Sequence, residues 1–119
     1  MYKIKVIDEF SGAHKLRNYK GKCETLHGHN WKIEVSVYAS ALNPQGMLID
    51  FKDLKAIVKK ILSGLDHKYL NDLPYFRKKN PTSENITYFI HKHLAGFLKN
   101  KKIKVTVWET ESSCASFVK

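Results

Sequence analysis

A chain of 119 residues, 43% of them hydrophobic, with 21 basic against 11 acidic side chains, can bury one core but is too short to divide comfortably into two. With three prolines, six glycines and no low-complexity tract, the composition excludes a disordered chain. The opening MYKIKVIDEF alternates charged with apolar residues, so it lacks the apolar run of a signal peptide, and no segment approaches the roughly 20 apolar residues of a membrane span.

A single domain over residues 1–119, soluble and cytoplasmic, is the expectation. In that compartment Cys23 and Cys114 are expected as two free thiols. The net charge of +10 favours an anionic partner. Lys52, Lys55, Lys59 and Lys60, however, fall mostly on the outer face of one helix. They read as a solvated face, with no lysine or arginine stripe of the kind that binds nucleic acid.

Along the chain, residues 2–6 alternate apolar residues with lysines, the period of a strand with one wet face. In WKIEVSVYA the alternation is clearest: Trp31, Ile33, Val35, Val37 and Ala39 point one way, and Lys32, Glu34, Ser36 and Tyr38 the other. ALNPQGML reads as a loop. Asp50 then caps a helix whose apolar stripe is Phe51, Leu54, Ile57, Val58, Ile61, Leu62 and Leu65. An irregular stretch follows, and PTSEN starts a second helix with Thr82 or Ser83 as cap. Its stripe is Ile86, Phe89, Ile90, Leu94, Phe97 and Leu98. Two strands close the chain, at 103–109 and about 114–118. This order predicts an α+β domain, a four-stranded antiparallel sheet with two helices packed on one face. Parallel β-α-β windings are not expected, because no helix separates the first two strands.

The stretch CETLHGHN carries most of the chemistry. If the strand at Trp31 extends backwards, His27 and His29 share the parity of its apolar face. Same-side neighbours stand about 6–7 Å apart, so two imidazoles can converge on one zinc ion. A third ligand is needed, and His14 in FSGAH follows the first strand; in a hairpin the end of that strand lies near the start of the next. The bland alternative is a His-Gly-His surface turn without metal. A closed site would add Cys23 to the three histidines. An open site would leave Cys23 uncoordinated, and three histidines with an open fourth position is the catalytic pattern. An open zinc polarises a hydroxyl or carbonyl and acidifies an adjacent C–H. A nearby thiolate can then act as base, with its pKa depressed from about 8.5.

Glu109 falls in phase with Ile103, Val105 and Val107, an acid where the pattern expects an apolar residue. Either the strand ends or bulges at Trp108 and Glu109 meets solvent, or the carboxylate is half-buried and needs donors, such as adjacent N–H groups of a ligand. Glu84 suits the first turn of a helix by charge alone. Asp66 and His67 can simply terminate the first helix. His91 and His93 read as surface or flanking residues.

Taken together, FSGAH, CETLHGHN, GMLIDFKDLK, LDHKYLN, PTSEN and VWETES, in this order, resemble the 6-pyruvoyltetrahydropterin synthase family over nearly the whole chain. The Cys-x3-His-Gly-His spacing is similar to that of the family's 6-carboxytetrahydropterin synthase branch of queuosine biosynthesis. The pyruvoyl-forming animal branch places the cysteine farther away, and a folate-linked branch carries glutamate in its place. One departure is Gly12, where many relatives have alanine.

The resemblance implies the T-fold, also called the tunnelling fold, assembled into homo-oligomeric rings, commonly hexamers, with active sites at subunit interfaces. It implies that His14, His27 and His29 bind zinc. Cys23 would transfer the proton, in a relay with Asp66 and His67. Glu109 would grip the N–H groups of the pterin ring, aided by Thr82 and Glu84. The implied reaction converts 7,8-dihydroneopterin triphosphate to 6-carboxy-5,6,7,8-tetrahydropterin, acetaldehyde and triphosphate. No nucleic-acid or membrane partner is implied.

Overall fold

A computed structural model of the chain describes residues 1–20 and 25–119. Two 13-residue strands, β1 (Tyr2–His14) and β2 (His27–Ala39), form a long antiparallel hairpin. Helix α1 (Phe51–Ser63) follows, then a two-residue strand β3 (Lys68–Tyr69) and two short 3-10 turns. Helix α2 (Ser83–Phe97), β4 (Lys102–Thr110) and β5 (Ser113–Val118) complete the order. The sheet runs β3-β1-β2-β4-β5.

One face of the sheet is apolar. Val6 and Phe10 of β1, Trp31, Ile33, Val35 and Val37 of β2, and Ile103, Val105 and Val107 of β4 are all buried. Their shared parity is the period-2 alternation of a half-buried antiparallel sheet. Leu54, Val58, Ile61 and Leu62 of α1 and Ile86, Ile90 and Leu94 of α2 cover that face. The opposite face is polar: Glu34 accepts from Trp108 Nε1 at 3.0 Å and pairs with Lys5 at 3.2 Å. The Trp108 N–H and then the Lys5 and Lys32 charges hold the Glu34 carboxyl below its ordinary value, against a smaller opposing effect of burial.

The α+β T-fold expectation holds, with differences in detail. The sheet has five strands rather than four, because β3 adds a short parallel pairing of Lys68 and Tyr69 with Gly12 and Ala13. Two residues are too few to show any alternation. Strand β1 continues past Val6 through FSGAH, so His14 is its last residue rather than a loop residue beyond it. Both expected caps form: Asp50 Oδ1 accepts from Lys52 N at 2.8 Å, and Thr82 Oγ1 accepts from Asn85 N at 3.1 Å. Phe51 and Phe97, placed on the stripes by spacing, lie at the helix ends and are half-exposed at 54% and 50%. At Gly12 an added Cβ would stand 3.0 Å from Phe10 Cε2, so this glycine leaves room for the Phe10 ring.

Candidate metal centre and its flank

The hairpin register brings the histidines together. His14 pairs directly with His27, and Gly12 with His29, at the end of the β1–β2 ladder. His14 and His29 lie against the buried indole of Trp31, and the His27 ring packs edge-on against both of them. The Trp31 ring meets His14 edge-on at 4.9 Å between centroids and His29 at 5.2 Å. Its Nε1 donates to Gly12 O at 3.1 Å, tying this floor back to β1.

Glu109 joins them from β4. The β4–β5 register shifts between Trp108 and Thr110, so the irregularity allowed for at Trp108 is present. It does not turn Glu109 away. Such irregularities re-aim side chains, and here Glu109 Oε1 stands 3.1 Å from His14 Nε2 and 3.3 Å from His29 Nε2. Ligand atoms of His14, His27, His29 and Glu109 all lie within 4.8 Å of one another.

Whether these groups fit a metal follows from their lone pairs. His14 Nδ1 lies 2.8 Å from Pro81 O and His27 Nδ1 2.8 Å from Thr25 O. A carbonyl oxygen only accepts, so each Nδ1 carries a proton, which leaves Nε2 of each ring as the nitrogen that turns inwards and can offer a lone pair. Those two Nε2 atoms are 3.1 Å apart, and a carboxylate oxygen faces them. Electron-pair donors so close repel each other unless a proton or a metal cation stands between them. Three imidazoles and one carboxylate are also the donor types that zinc accepts. The group therefore fits a divalent metal.

Asp66 and His67 form a second unit at the neighbouring edge of β1. Asp66 Oδ1 accepts from Ser11 N at 2.9 Å, and its Oδ2 pairs with His67 Nδ1 at 2.9 Å. The Ser11 N–H, and secondly the His67 ring, hold the Asp66 carboxyl below its ordinary value of 3.8. His67 N in turn donates to Ser11 O at 2.6 Å, and His67 has φ of 56°, in the left-handed region. Histidine tolerates that region better than most residues, yet a non-glycine residue held there needs a reason in its surroundings. The two bonds to Ser11 supply it. They hold His67 next to Lys68, the residue that pairs with Gly12, which in turn pairs with His29.

A cleft of about 500 Å³ joins the two units, lined by His29 and Asn30 on one side and by His67, Lys68 and Tyr69 on the other. Its size suits a small-molecule ligand. Thr82 stands next to Pro81, whose carbonyl holds His14, and its hydroxyl caps α2. Glu84 is exposed in the first turn of α2. Cys23 lies outside the described residues. Cys114 is a free, exposed thiol.

Two results differ from the sequence reading. His91 is buried, 7% exposed, with its ring edge-on to Phe117 of β5, whereas His93 is exposed as expected. Neither belongs to the metal group. The reading also passed over Ser11, Trp31 and Pro81 as site residues. Ser11 and Pro81 act through backbone atoms, which leave no side-chain signature.

A family profile described as 6-pyruvoyl tetrahydropterin synthase matches residues 3–119. The chain belongs to the 6-pyruvoyl tetrahydropterin synthase family. It is 36% identical over 116 residues to the 6-pyruvoyl tetrahydrobiopterin synthase of Dictyostelium discoideum, covering 87% of this chain and 86% of that one. It is 32% identical over 140 residues to the 6-carboxy-5,6,7,8-tetrahydropterin synthase of Haemophilus influenzae, covering 98% and 99%. The solved structure of Caenorhabditis elegans 6-pyruvoyl tetrahydropterin synthase superposes with a TM-score of 0.84 at 25% identity, over 98% of this chain and 94% of that one. As a member of this pterin synthase family with a T-fold, the chain carries its metal-fitting group at the ends of β1, β2 and β4, and its Asp-His pair just before β3, hydrogen-bonded to Ser11 of β1.

Proposed function

We propose that the chain is a zinc-dependent 6-carboxy-5,6,7,8-tetrahydropterin synthase. It converts 7,8-dihydroneopterin triphosphate and one water to the carboxy product, acetaldehyde and triphosphate, serving queuosine biosynthesis in the cytoplasm as a single-domain homo-oligomer. The observation that carries the reading is the convergence of His14, His27 and His29 at the end of one hairpin, with His67 lining the same cleft as His29.

In this reading His14, His27 and His29 hold the zinc, which when bound polarises the substrate side-chain hydroxyls and acidifies the neighbouring C–H. Cys23 takes and returns the carbon-bound proton. His67 passes that proton on. Asp66 orients the His67 ring through Nδ1 and balances its charge when it is protonated. Glu109 accepts the N–H groups of the pterin ring. Thr82 and Glu84 border the ring from the start of α2. The excess of basic side chains favours encounter with a triphosphate.

The choice between products rests on the sequence. Three residues separate Cys23 from His27, the spacing of the carboxy-forming branch, and the Haemophilus influenzae relative that bears that name is matched over nearly its full length. The Dictyostelium discoideum relative favours the pyruvoyl product as second reading. Incubation of the zinc-loaded protein with dihydroneopterin triphosphate separates them. Mass spectrometry should find the carboxy product with equimolar acetaldehyde. Triphosphate release without acetaldehyde would favour the pyruvoyl synthase.

A further inference from the structure

Glu109 occupies a place that a pterin-gripping residue does not need. Donors about 2.0–2.1 Å from a tetrahedral zinc stand about 3.3–3.4 Å from each other, because the edge of a tetrahedron is about 1.6 times its centre-to-vertex distance. The separations His14 Nε2 to His27 Nε2 (3.1 Å), His14 Nε2 to Glu109 Oε1 (3.1 Å) and His29 Nε2 to Glu109 Oε1 (3.3 Å) are edges of that size. One carboxylate oxygen thus sits at the vertex that three histidines leave open.

A metal closed by four protein ligands has no position for substrate, and catalytic zinc keeps one open. Glu109 also has freedom to leave: it lies at the β4–β5 register shift, its side chain 34% exposed. By contrast His14, opposite it, is 2% exposed and held by Pro81 O. The carboxylate is more exposed than His14 and His29, the two histidines it faces, whose side chains are 2% and 22% exposed. From these observations we propose that Glu109 is the fourth metal ligand in the substrate-free protein and leaves the metal when a pterin ring binds. Its oxygens then accept the ring N–H groups, and an oxygen of the substrate side chain takes the vacated position. The carboxylate exchanges one electropositive partner for another, so no unpaired charge is left in the cleft. The metal is thereby shielded from water until the pterin ring arrives. The exchange rests on the metal reading proposed above.

The test uses the metal-loaded full chain with Co(II) in place of zinc, because the visible spectrum of Co(II) reports its ligand set, and neopterin as a pterin without a triphosphate to eliminate. Neopterin should change the wild-type spectrum. Glu109→Gln should start from a different spectrum and respond to neopterin far less. In chelator competition without pterin, Glu109→Ala should bind zinc about 10-fold or more weakly than wild type, and saturating neopterin should narrow the gap. Circular dichroism of both variants checks that the fold is kept, and Glu109→Gln retains the side-chain volume. Neither readout needs turnover, so the exchange and the synthase reading fail separately. A wild-type Co(II) spectrum that neopterin leaves unchanged, or a zinc affinity that Glu109→Ala leaves unchanged, overturns the exchange.

Discussion

Replacing Trp31 with phenylalanine tests whether the metal group rests on its indole floor. Trp31 is fully buried, stacked at 5.9 Å on Phe10 and edge-on to His14 and His29. The substitution keeps one aromatic ring but removes Nε1–H and about two carbon-sized groups. Loss of the bond to Gly12 O costs about 1 kcal/mol, and up to about 3 kcal/mol if that carbonyl is left unpaired. The missing carbons, at about 0.8 kcal/mol each with partial collapse of the space, add about 1.5 kcal/mol. A total near 3 kcal/mol is expected for the metal-free protein.

Urea unfolding followed by circular dichroism, in chelator and at one protein concentration, should show the midpoint fall by about 1–2 M. Zinc affinity should fall by about 10-fold, the lower end of what removing outer-shell support costs a metal site. Trp108→Phe is the control. Its Nε1 bonds Glu34 on the polar face, where loss of one part-buried hydrogen bond to a carboxylate should cost about 1.5 kcal/mol, roughly half the Trp31→Phe value, and should leave zinc affinity unchanged. If Trp31→Phe unfolds with Trp108→Phe and binds zinc as wild type does, the indole is not the support argued for.

Cys23→Ala should retain zinc and lose turnover, because the thiol is read as a base rather than a ligand; metal analysis showing zinc lost with activity would establish a closed cysteine site instead. Asp66→Asn should keep the fold, since an amide oxygen can still accept from Ser11 N, but lower kcat by about 100-fold by removing the charge behind His67. Because the Asp66 carboxyl is held below 3.8, its stabilisation is full above that pH and lost as pH falls through the lowered value. Wild type should therefore lose stability relative to Asp66→Asn only on acidification below about pH 4, and parallel acid titrations of the two would contradict this. Thr82→Ala should cost about 1 kcal/mol as a lost N-cap, measured by urea unfolding, and loosen Pro81 beneath His14; a stability unchanged within about 0.3 kcal/mol would show that Asn85 N finds another partner.

Much of this architecture is legible in the sequence because one face of the sheet is buried. Alternation marks β2 along WKIEVSVYA, and the helical stripes with Asp50 and Thr82 as caps mark α1 and α2. What escaped depends on partners distant in sequence. The stretch FSGAH offers little apolar alternation, so only pairing with β2 shows that β1 reaches His14. Strand β3 exists only because Lys68 and Tyr69 lie beside Gly12 and Ala13. His91 looks like a surface residue on α2 until β5 brings Phe117 against it. Ser11 enters the site through its backbone, and no side-chain pattern announces that.

The metal group has a different kind of legibility, because its geometry is set by residues far from it. A one-residue slip of β1 against β2 would send every side chain of β1 to the opposite face and separate His14 from His27. That slip is opposed by Ile4 against Val37, Val6 against Val35 and Phe10 against Trp31, pairs that would lose their burial together. The β2–β4 ladder is fixed in the same way by Val35 against Val105 and Ile33 against Val107. Glu109 lies just past the end of that ladder, where the β4–β5 register has shifted. The histidines are therefore positioned by a regular apolar register that can be read from spacing. The direction of the Glu109 carboxylate, and with it the exchange of partners proposed for it, depends on the register shift between Trp108 and Thr110.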